Sequence, residues 1–496
     1  MIEIKKINEV YAVVNAERHI LQEMSEFFTF FVPGHQFTPA FRNRIWDGKI
    51  RLLDLRTNQI YLGLSEYIKE FAESRDYEVE FQGIGIEDEF SLYHAKKFMT
   101  GLSLESAGRS IEARDYQLDA LCHAMQSRRA LLLSPTASGK SLIIYMLVRQ
   151  LLDYQNMRGL IIVPTTSLVE QLYSDFADYS GSNGFSVVDN VHKIYQGKDK
   201  VSATAKLYIS TWQSLYKMPK EYFHQFDYVI GDEAHLFKAQ SLVAIMTSCI
   251  NSKYRIGLTG TLDGTKTHKL VLEGLFGPIR KVTTTKELID KKQLAEFNIK
   301  CLILKHPEDA CKALKEKTYA DEIQYLISCE SRNKFIKNLA VSMTKNTLVL
   351  YQMVEKHGQI LYNMIQNTEK IGNRKVFFVH GGTDTEDREQ IRKIMEEEKD
   401  AIVVASFGTF STGINIKNLH NIIFASPSKS RVRNLQSIGR GLRKSDTKDS
   451  ATLFDIADDL RHKKRENYTL KHFSERIKIY SEEKFVFKLY KIELKG

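Results

Sequence analysis

Residues 130–152 read ALLLSPTASGKSLIIYMLVRQLL. An apolar run, Ala130–Leu133, stops at a loop of small residues, and a helical apolar pattern, Leu142–Leu152, starts directly after it. Strand, small-residue loop and helix in this order make a phosphate-binding loop. In such a loop the backbone N–H groups of Ser134, Pro135-Thr136-Ala137-Ser138 (proline excepted) and Gly139, with the helix N-terminus, cradle the phosphates. The Lys140 ammonium reaches the β- and γ-phosphates of ATP, and the Ser141 hydroxyl binds Mg²⁺. The stretch departs from GxxxxGK(S/T) at its first position, where Ser134 stands for glycine; a small residue there still allows the turn.

Working outward, apolar strands alternate with helical patterns on both sides of this loop. Gly159–Val163, Leu207–Ser210, Tyr228–Ile230 and Tyr254–Leu258 follow it as strands. A second alternating series reads Lys300–Leu304, Thr347–Tyr351, Val376–Val379, Ala401–Ala405, Asn421–Ala425 and Ala451–Phe454. Such alternation predicts βαβ units and parallel sheets. Gly277-Pro278 punctuates the two series. Ahead of them, residues 1–105 hold Ile2–Ile7 and Tyr77–Phe81 as alternating segments. The predicted organisation is therefore 1–105, a small α+β N-terminal domain; 106–279, a first α/β lobe; and 280–496, a second α/β lobe with a basic C-terminal segment.

A chain of 496 residues fits about three domains. Its 71 Lys and Arg against 61 Asp and Glu leave a formal charge of +10, which suits a polyanionic partner. Five widely spaced cysteines, with no CxxC pair, argue against a zinc ribbon or disulfide framework and suit a reducing cytoplasm. No signal peptide is expected from MIEIKKINEV. The longest apolar runs fall well short of the ~20 residues of a membrane span, so no membrane partner is expected. The run Arg461–Arg465 reads either as a solvated face or as a nucleic-acid patch.

The next chemical signal is Asp232-Glu233-Ala234-His235 at the end of the apolar strand 226–231. A parallel strand aims carboxylates at its C-terminal end into the ligand crevice. There Asp232 is expected to hold Mg²⁺, Glu233 to polarise the attacking water, and His235 to couple the site to the other lobe.

Together with further boxes, these motifs resemble a superfamily 2 helicase or translocase. Arg114-Asp115-Tyr116-Gln117 is similar to the RxxQ element that reads adenine, and the Gln117 amide has the donors and acceptors to do so. Residues 162–171, IVPTTSLVEQ, resemble motif Ia through Pro164 and Thr165. Residues 210–214, STWQS, resemble motif Ib through Thr211. Thr259-Gly260-Thr261 resembles motif III, which links hydrolysis to strand contact, and argues against the DEAD-box RNA branch. Val379-His380-Gly381-Gly382, followed by Arg388-Glu389, is similar to the phosphate-contacting turn after motif IV. Residues 405–415, ASFGTFSTGIN, resemble motif V, which implies strand contact at Thr412 and nucleotide contact at Gly413. Residues 436–443, QSIGRGLR, match the QxxGRxxR of motif VI, which implies catalytic roles for Gln436, Arg440 and Arg443 at the γ-phosphate, where an arginine contributes about 10³–10⁵ in rate.

The resemblance covers roughly residues 106–460 and implies two RecA-like lobes in tandem. The whole pattern most closely resembles the DNA helicases of T-even bacteriophages that act on branched DNA. It implies an ATP-dependent enzyme that remodels forks, Holliday junctions and R-loops, working as a monomer in the host cytoplasm on DNA or RNA–DNA hybrid. The residues alone leave open an RNA helicase, a duplex translocase, or an annealing protein with a vestigial ATPase. In the N-terminal domain, Arg44-Ile45-Trp46 and Lys49–Leu52 flank Asp47-Gly48 and are predicted to form a β-hairpin. Its residues Arg42, Arg44, Trp46 and Lys49 form a candidate DNA-gripping ribbon.

Overall fold

A computed structural model describes residues 1–85, 89–195, 197, 199–413, 416, 418–426, 430–442, 448–463 and 465–494; the side chains of residues 385, 411–413, 431–433 and 440 are outside this description. Met1–Ser134 with Gly139–Thr283 forms one compact unit, and Pro135–Ser138 with the chain from Thr284 onward forms a second. No helix among the described residues is long and apolar enough to cross a membrane.

The first unit holds a seven-stranded, wholly parallel sheet. Its strands lie in the order Val191–Ile194, Leu207–Thr211, Gly159–Val163, Tyr228–Asp232, Tyr254–Thr259, Arg129–Leu133 and Ile279–Lys281. Runs such as Gly159–Val163, buried at every residue, are what a sheet covered on both faces requires. The final strand, Ile279–Lys281, lies beyond Gly277-Pro278 and still pairs with Arg129–Leu133. The first sheet thus extends past the expected punctuation, and the division between units falls at Thr283.

The N-terminal region forms a five-stranded mixed sheet, in which Ile2–Lys6 pairs antiparallel with Tyr11–Asn15 and parallel with Val79–Gln82. The helices Arg18–Phe27 and Ser65–Glu73 contribute Met24, Ile68 and Phe71 to its core. That core is continuous with residues under the first parallel sheet, including Leu131, Val229 and Phe276. Polar contacts reinforce the join: Tyr67 Oη donates to Glu273 Oε2 at 2.7 Å, and Arg129 Nη2 meets Glu9 Oε2 at 3.1 Å. Gly63 sits so close to the backbone of Glu273 and Gly274 that a Cβ there has no room.

The expected hairpin at Asp47-Gly48 does not form. Residues Pro39–Arg42 are a helical turn instead, with Thr38 as N-cap and Pro39 in the first turn, both helix-starting choices. Arg44 adopts φ 56°, outside any strand. Lys49–Arg51 pairs with the distant Thr29–Phe31, placing Lys49 opposite Phe31. Arg42, Arg44 and Trp46 therefore do not alternate along a strand, and the ribbon face assigned to them is absent.

The second unit repeats the architecture. Its seven parallel strands run Val376–Val379, Ile402–Ser406, Thr347–Tyr351, Asn421–Phe424, Ser450–Asp459, Glu296–Lys305 and Val486–Glu493. Two buried arginines tie helices to the Ser450–Asp459 strand. Arg332 grips Asp458 through Nε at 2.8 Å and Nη2 at 3.0 Å, and Arg476 Nε lies 2.9 Å from Asp455 Oδ2. The fold is α/β, two RecA-like lobes in tandem behind a small N-terminal α/β region.

Candidate nucleotide and nucleic-acid sites

In the first unit the C-terminal ends of five parallel strands gather the motifs. Leu133 leads into the phosphate loop, and its strand neighbours the one ending at Thr259. That strand neighbours the one ending at Asp232, and Val163 and Thr211 end two further paired strands. The helix Lys140–Arg149 begins directly after Gly139, which takes φ 81°. Ala137 also has a positive φ, 68°. Lys140 Nζ points back to the Ser134 carbonyl at 3.4 Å.

Gln117 is buried and braces this loop. Its Nε2 donates to Gly139 O at 3.4 Å, while its Oε1 accepts from Arg114 N–H at 2.9 Å. A Cβ on Gly139 would run into the Gln117 amide. Arg114 in turn donates to Tyr116 Oη at 2.8 Å.

Glu233 is held in the left-handed region, φ 52°, with its N–H on Asp232 Oδ1 at 2.9 Å. His235 Nδ1 lies 3.3 Å from Glu233 Oε2 and 2.9 Å from Thr259 Oγ1. Thr259 Oγ1 donates to Thr261 O at 3.0 Å. Glu233, His235, Thr259 and Thr261 thus form one chain of contacts from the acidic box into the TGT segment. The buried Thr261 hydroxyl finishes it without a partner among the described residues.

Loss of water around Asp232, and the charge of Glu233 beside it, push the Asp232 carboxyl well above the usual carboxylate range; Lys140 and His235 offset this only in part. Two crowded carboxylates with incomplete cationic compensation are a fitting receptor for a divalent cation. Asp232 and the Ser141 hydroxyl are the residues that would hold one. Sequence reasoning missed Tyr179, whose Oη lies 3.0 Å from Ser141 Oγ. It is the last residue of the motif Ia helix, Thr166–Tyr179. No local pattern links positions 38 residues apart.

At the other end of that helix, Thr165 is the N-cap, and its Oγ1 accepts from Leu168 N–H at 3.3 Å. Gln213 Nε2 donates to Pro164 O at 3.4 Å, and Thr211 Oγ1 lies 3.0 Å from Ser214 Oγ. Motifs Ia and Ib are therefore joined at adjacent strand ends.

In the second unit, the His380 turn is fixed by His380 N–H on Thr383 Oγ1 at 3.0 Å and by Arg388 Nη2 on Gly381 O at 2.8 Å. Among the described residues nothing lies within 4 Å of a Cβ built on Gly381, its chain neighbours apart. Ser406 ends its strand with Oγ 2.8 Å from Thr409 Oγ1. Thr412 and Gly413 lie in the helix Phe407–Gly413, their side chains outside the described ones. Gln436 and Arg440 lie in the helix Arg431–Gly441; the Arg440 side chain and all of Arg443 are likewise outside the described residues.

In the N-terminal region Arg42 and Arg44 are exposed and Trp46 and Lys49 half-buried. Trp46 Nε1 donates to Lys49 O at 2.9 Å, and Lys49 Nζ sits 4.9 Å from the Phe31 ring centroid. Around them Phe31, Phe37 and Ile45 are 55%, 68% and 79% exposed. These three were not singled out from sequence, because an apolar residue ordinarily reads as core.

Three sequence families match the chain. One described as DNA helicase UvsW, N-terminal, covers residues 2–82; the type III restriction enzyme res subunit covers 110–264; and the helicase conserved C-terminal domain covers 330–445. The ATP-dependent DNA helicase uvsW of Enterobacteria phage T4 is 35% identical over 495 residues, 97% of each chain. The chain belongs to the UvsW family of DNA helicases. The crystal structure of T4 UvsW superposes with a TM-score of 0.54 at 34% identity, covering all of both chains. The DNA 3'-5' translocase XPB2 of Sulfurisphaera tokodaii is 24% identical over 68% of this chain and 80% of its own. The type ISP restriction-modification enzyme LlaBIII, solved bound to DNA, shares the fold alone, at 14% identity and a TM-score of 0.56. As a UvsW-family member this chain is an ATP-using superfamily 2 enzyme. The phage helicases that its motifs resemble are the UvsW proteins.

Proposed function

We propose that this enzyme spends ATP hydrolysis on remodelling branched DNA: replication forks, Holliday junctions and R-loops, including their RNA–DNA hybrid. It works as a monomer in the host cytoplasm, with Mg²⁺ as the companion of ATP. The observation that carries the reading is the seating of the N-terminal region, with Arg42, Arg44 and Lys49 at its surface, on the same unit as Lys140, Ser141, Asp232 and Glu233. A continuous core and the Tyr67–Glu273 and Arg129–Glu9 contacts hold it there. A surface fixed to the motor unit moves with it, and so suits recognition of a duplex arm or junction while the motor steps.

The roles follow from the chemistry. Phosphate-loop amides and Lys140 bind the phosphates of ATP, while Arg114 and Gln117 serve the adenine side. When bound, Mg²⁺ neutralises charge on the β- and γ-phosphates. Glu233 orients the attacking water through its carboxylate. His235, Thr259 and Thr261 relay the state of that carboxylate toward the strand contacts. Gln436, Arg440 and Arg443 stabilise the γ-phosphoryl group as charge shifts, and Gly413 approaches the nucleotide. Pro164, Thr165, Thr211, His380, Gly381 and Thr412 contact the DNA backbone, which confers grip without sequence preference and strong salt dependence.

The test is ATP turnover with single-stranded, duplex, forked and four-way DNA and with RNA. Forked and four-way DNA should stimulate most. Equal or greater stimulation by RNA would replace this reading with an RNA helicase, and stimulation by plain duplex without strand separation would make the enzyme a duplex translocase. Lys140→Ala should abolish turnover; full unwinding by that folded variant would reject the assignment.

A further inference from the structure

The run Arg461–Arg465 has no role in the mechanism above. Its described residues, Arg461–Lys463 and Arg465, make a tight turn and not a helix face: His462 N–H donates to Arg465 O at 3.4 Å, Arg465 N–H to His462 O at 3.2 Å, and Lys463 takes φ 54°. The turn follows the Ser450–Asp459 strand and is anchored by Asn467, which accepts from Leu460 N–H at 3.1 Å and donates to Asp458 O at 3.1 Å. Arg461 is spent on Asp459.

Arg465 is exposed, and so are Lys315, Lys317 and Lys471, which face it across a cleft of about 70 Å³. Acidic residues share this cleft. Glu322 is buried and consumed, accepting from Asn467 Nδ2, Tyr468 N–H and Thr469 N–H at 2.8–2.9 Å, so its charge is turned inward. Glu466 is exposed, which leaves the cations in excess at the surface. Two tyrosines rise beside these cations, Tyr319 39% and Tyr468 38% exposed, with ring centroids 6.0 Å apart.

Position adds to chemistry. All seven strands of this sheet are parallel, so their C-terminal ends share one edge. The Ser450–Asp459 strand is three places from the strand ending at Ser406, about 14 Å at ~4.8 Å per step. It is four places, about 19 Å, from the strand that leads into His380. Asp455 pairs with Phe424, and the strand runs four residues further to Asp459, roughly 13 Å at ~3.3 Å per residue. The patch therefore crowns the same edge as the candidate strand contacts.

We propose that it is a second DNA-contact site of this unit, taking a single-stranded arm with phosphates on Lys315, Lys317, Arg465 and Lys471 and a base on the Tyr319–Tyr468 pair. Cations track a backbone, and exposed aromatic rings stack on unpaired bases, whose faces a duplex hides. The proposal rests on the helicase reading, which the wild-type controls below check separately.

The experiment uses the full chain, checked by circular dichroism. A Lys317→Ala/Arg465→Ala/Lys471→Ala variant is titrated with labelled oligo(dT), a fork carrying a single-stranded arm and a blunt duplex, from low to high salt. Three lost phosphate contacts should flatten the log–log salt slope for oligo(dT) by about 2, at ~0.7 per contact, and affinity for the armed fork should fall at least tenfold. Tyr468→Ala should weaken oligo(dT) binding at least fivefold, and Tyr468→Phe should restore it. Unchanged affinity and slope in the triple variant, with Tyr468→Ala binding like wild type, overturn the site. An equal loss on blunt duplex overturns the single-strand assignment. A wild-type enzyme whose ATP turnover no DNA stimulates would instead sink the helicase reading.

Discussion

Tyr179→Phe isolates a single hydroxyl beside Ser141, on the metal side of the proposed nucleotide site. The phenol oxygen lies 3.0 Å from Ser141 Oγ. The ring itself packs against Tyr145, centroids 5.5 Å apart, and phenylalanine keeps that contact. When Ser141 offers a lone pair to a cation, its proton needs an acceptor, and Tyr179 Oη is at hydrogen-bonding distance to be one. Losing one hydrogen bond of this kind costs about 1 kcal/mol, which corresponds to roughly fivefold in an equilibrium constant. The variant should therefore need about five times more Mg²⁺ for half-maximal binding of a fluorescent ATP analogue. Binding of the same analogue in EDTA should not change, because the phosphate loop is untouched. The assay is a Mg²⁺ titration followed by fluorescence anisotropy, and needs no turnover. An unchanged Mg²⁺ midpoint, or an equal loss with and without Mg²⁺, would refute the reasoning and leave Tyr179 a packing residue.

Other expectations follow from the same structure. Glu233→Gln should keep ATP binding and lose hydrolysis, since the amide cannot polarise water as the carboxylate does; turnover near the wild-type rate would mean that another group positions the water. Arg476→Leu should destabilise the second unit by about 3–5 kcal/mol, because Asp455, fully buried, keeps among the described residues only the Tyr480 hydroxyl at 2.9 Å in its place; a urea melt within about 0.5 kcal/mol of wild type would contradict this. Cys329 is the one half-buried cysteine. Burial raises its thiol pKa, but hydrogen bonds from His306, Ser331, the Arg332 amide and Tyr325 outweigh this and hold it down to about 6. Its folded pKa being lowered, its alkylation by iodoacetamide should rise through pH 6 and level off near 7, where an ordinary thiol, at about 8.5, is only beginning to react. Peptide mass spectrometry of a pH series reads this directly, and a midpoint above pH 8 would show that the hydrogen bonds do not act on the sulfur.

Most strands of the two parallel sheets were legible because local periodicity carries them: a strand buried on both faces must be a short apolar run, whatever its neighbours; the edge strands Val191–Ile194, Ile279–Lys281 and Val486–Glu493, which lack a continuous apolar run, were not read as strands. The phosphate loop and the acidic box were legible for the same reason, since each is a contiguous string whose chemistry depends on adjacent residues. The Asp47-Gly48 turn failed on this point. A local rule pairs a turn with the strand before it, but Thr38 and Pro39 favoured a helical turn there, and Lys49–Arg51 found Thr29–Phe31 instead.

By itself, then, the sequence determined most of the strands, and which loop and residues are candidates for phosphate, base, cation and strand contact. Only the tertiary structure decided who stands beside whom. The Arg129–Leu133 strand lies next to Tyr254–Thr259 and not next to Gly159–Val163, its successor in the chain, and this order places the loop beside the Thr259–His235–Glu233 contacts. Tyr179 reached Ser141, and Lys315 and Lys317 reached Arg465 and Lys471, across tens to more than a hundred residues. Backbone and side-chain preferences act over a few neighbouring residues, whereas parallel strand order is set by long crossovers and shared burial, and no local pattern encodes which distant surfaces these bring together.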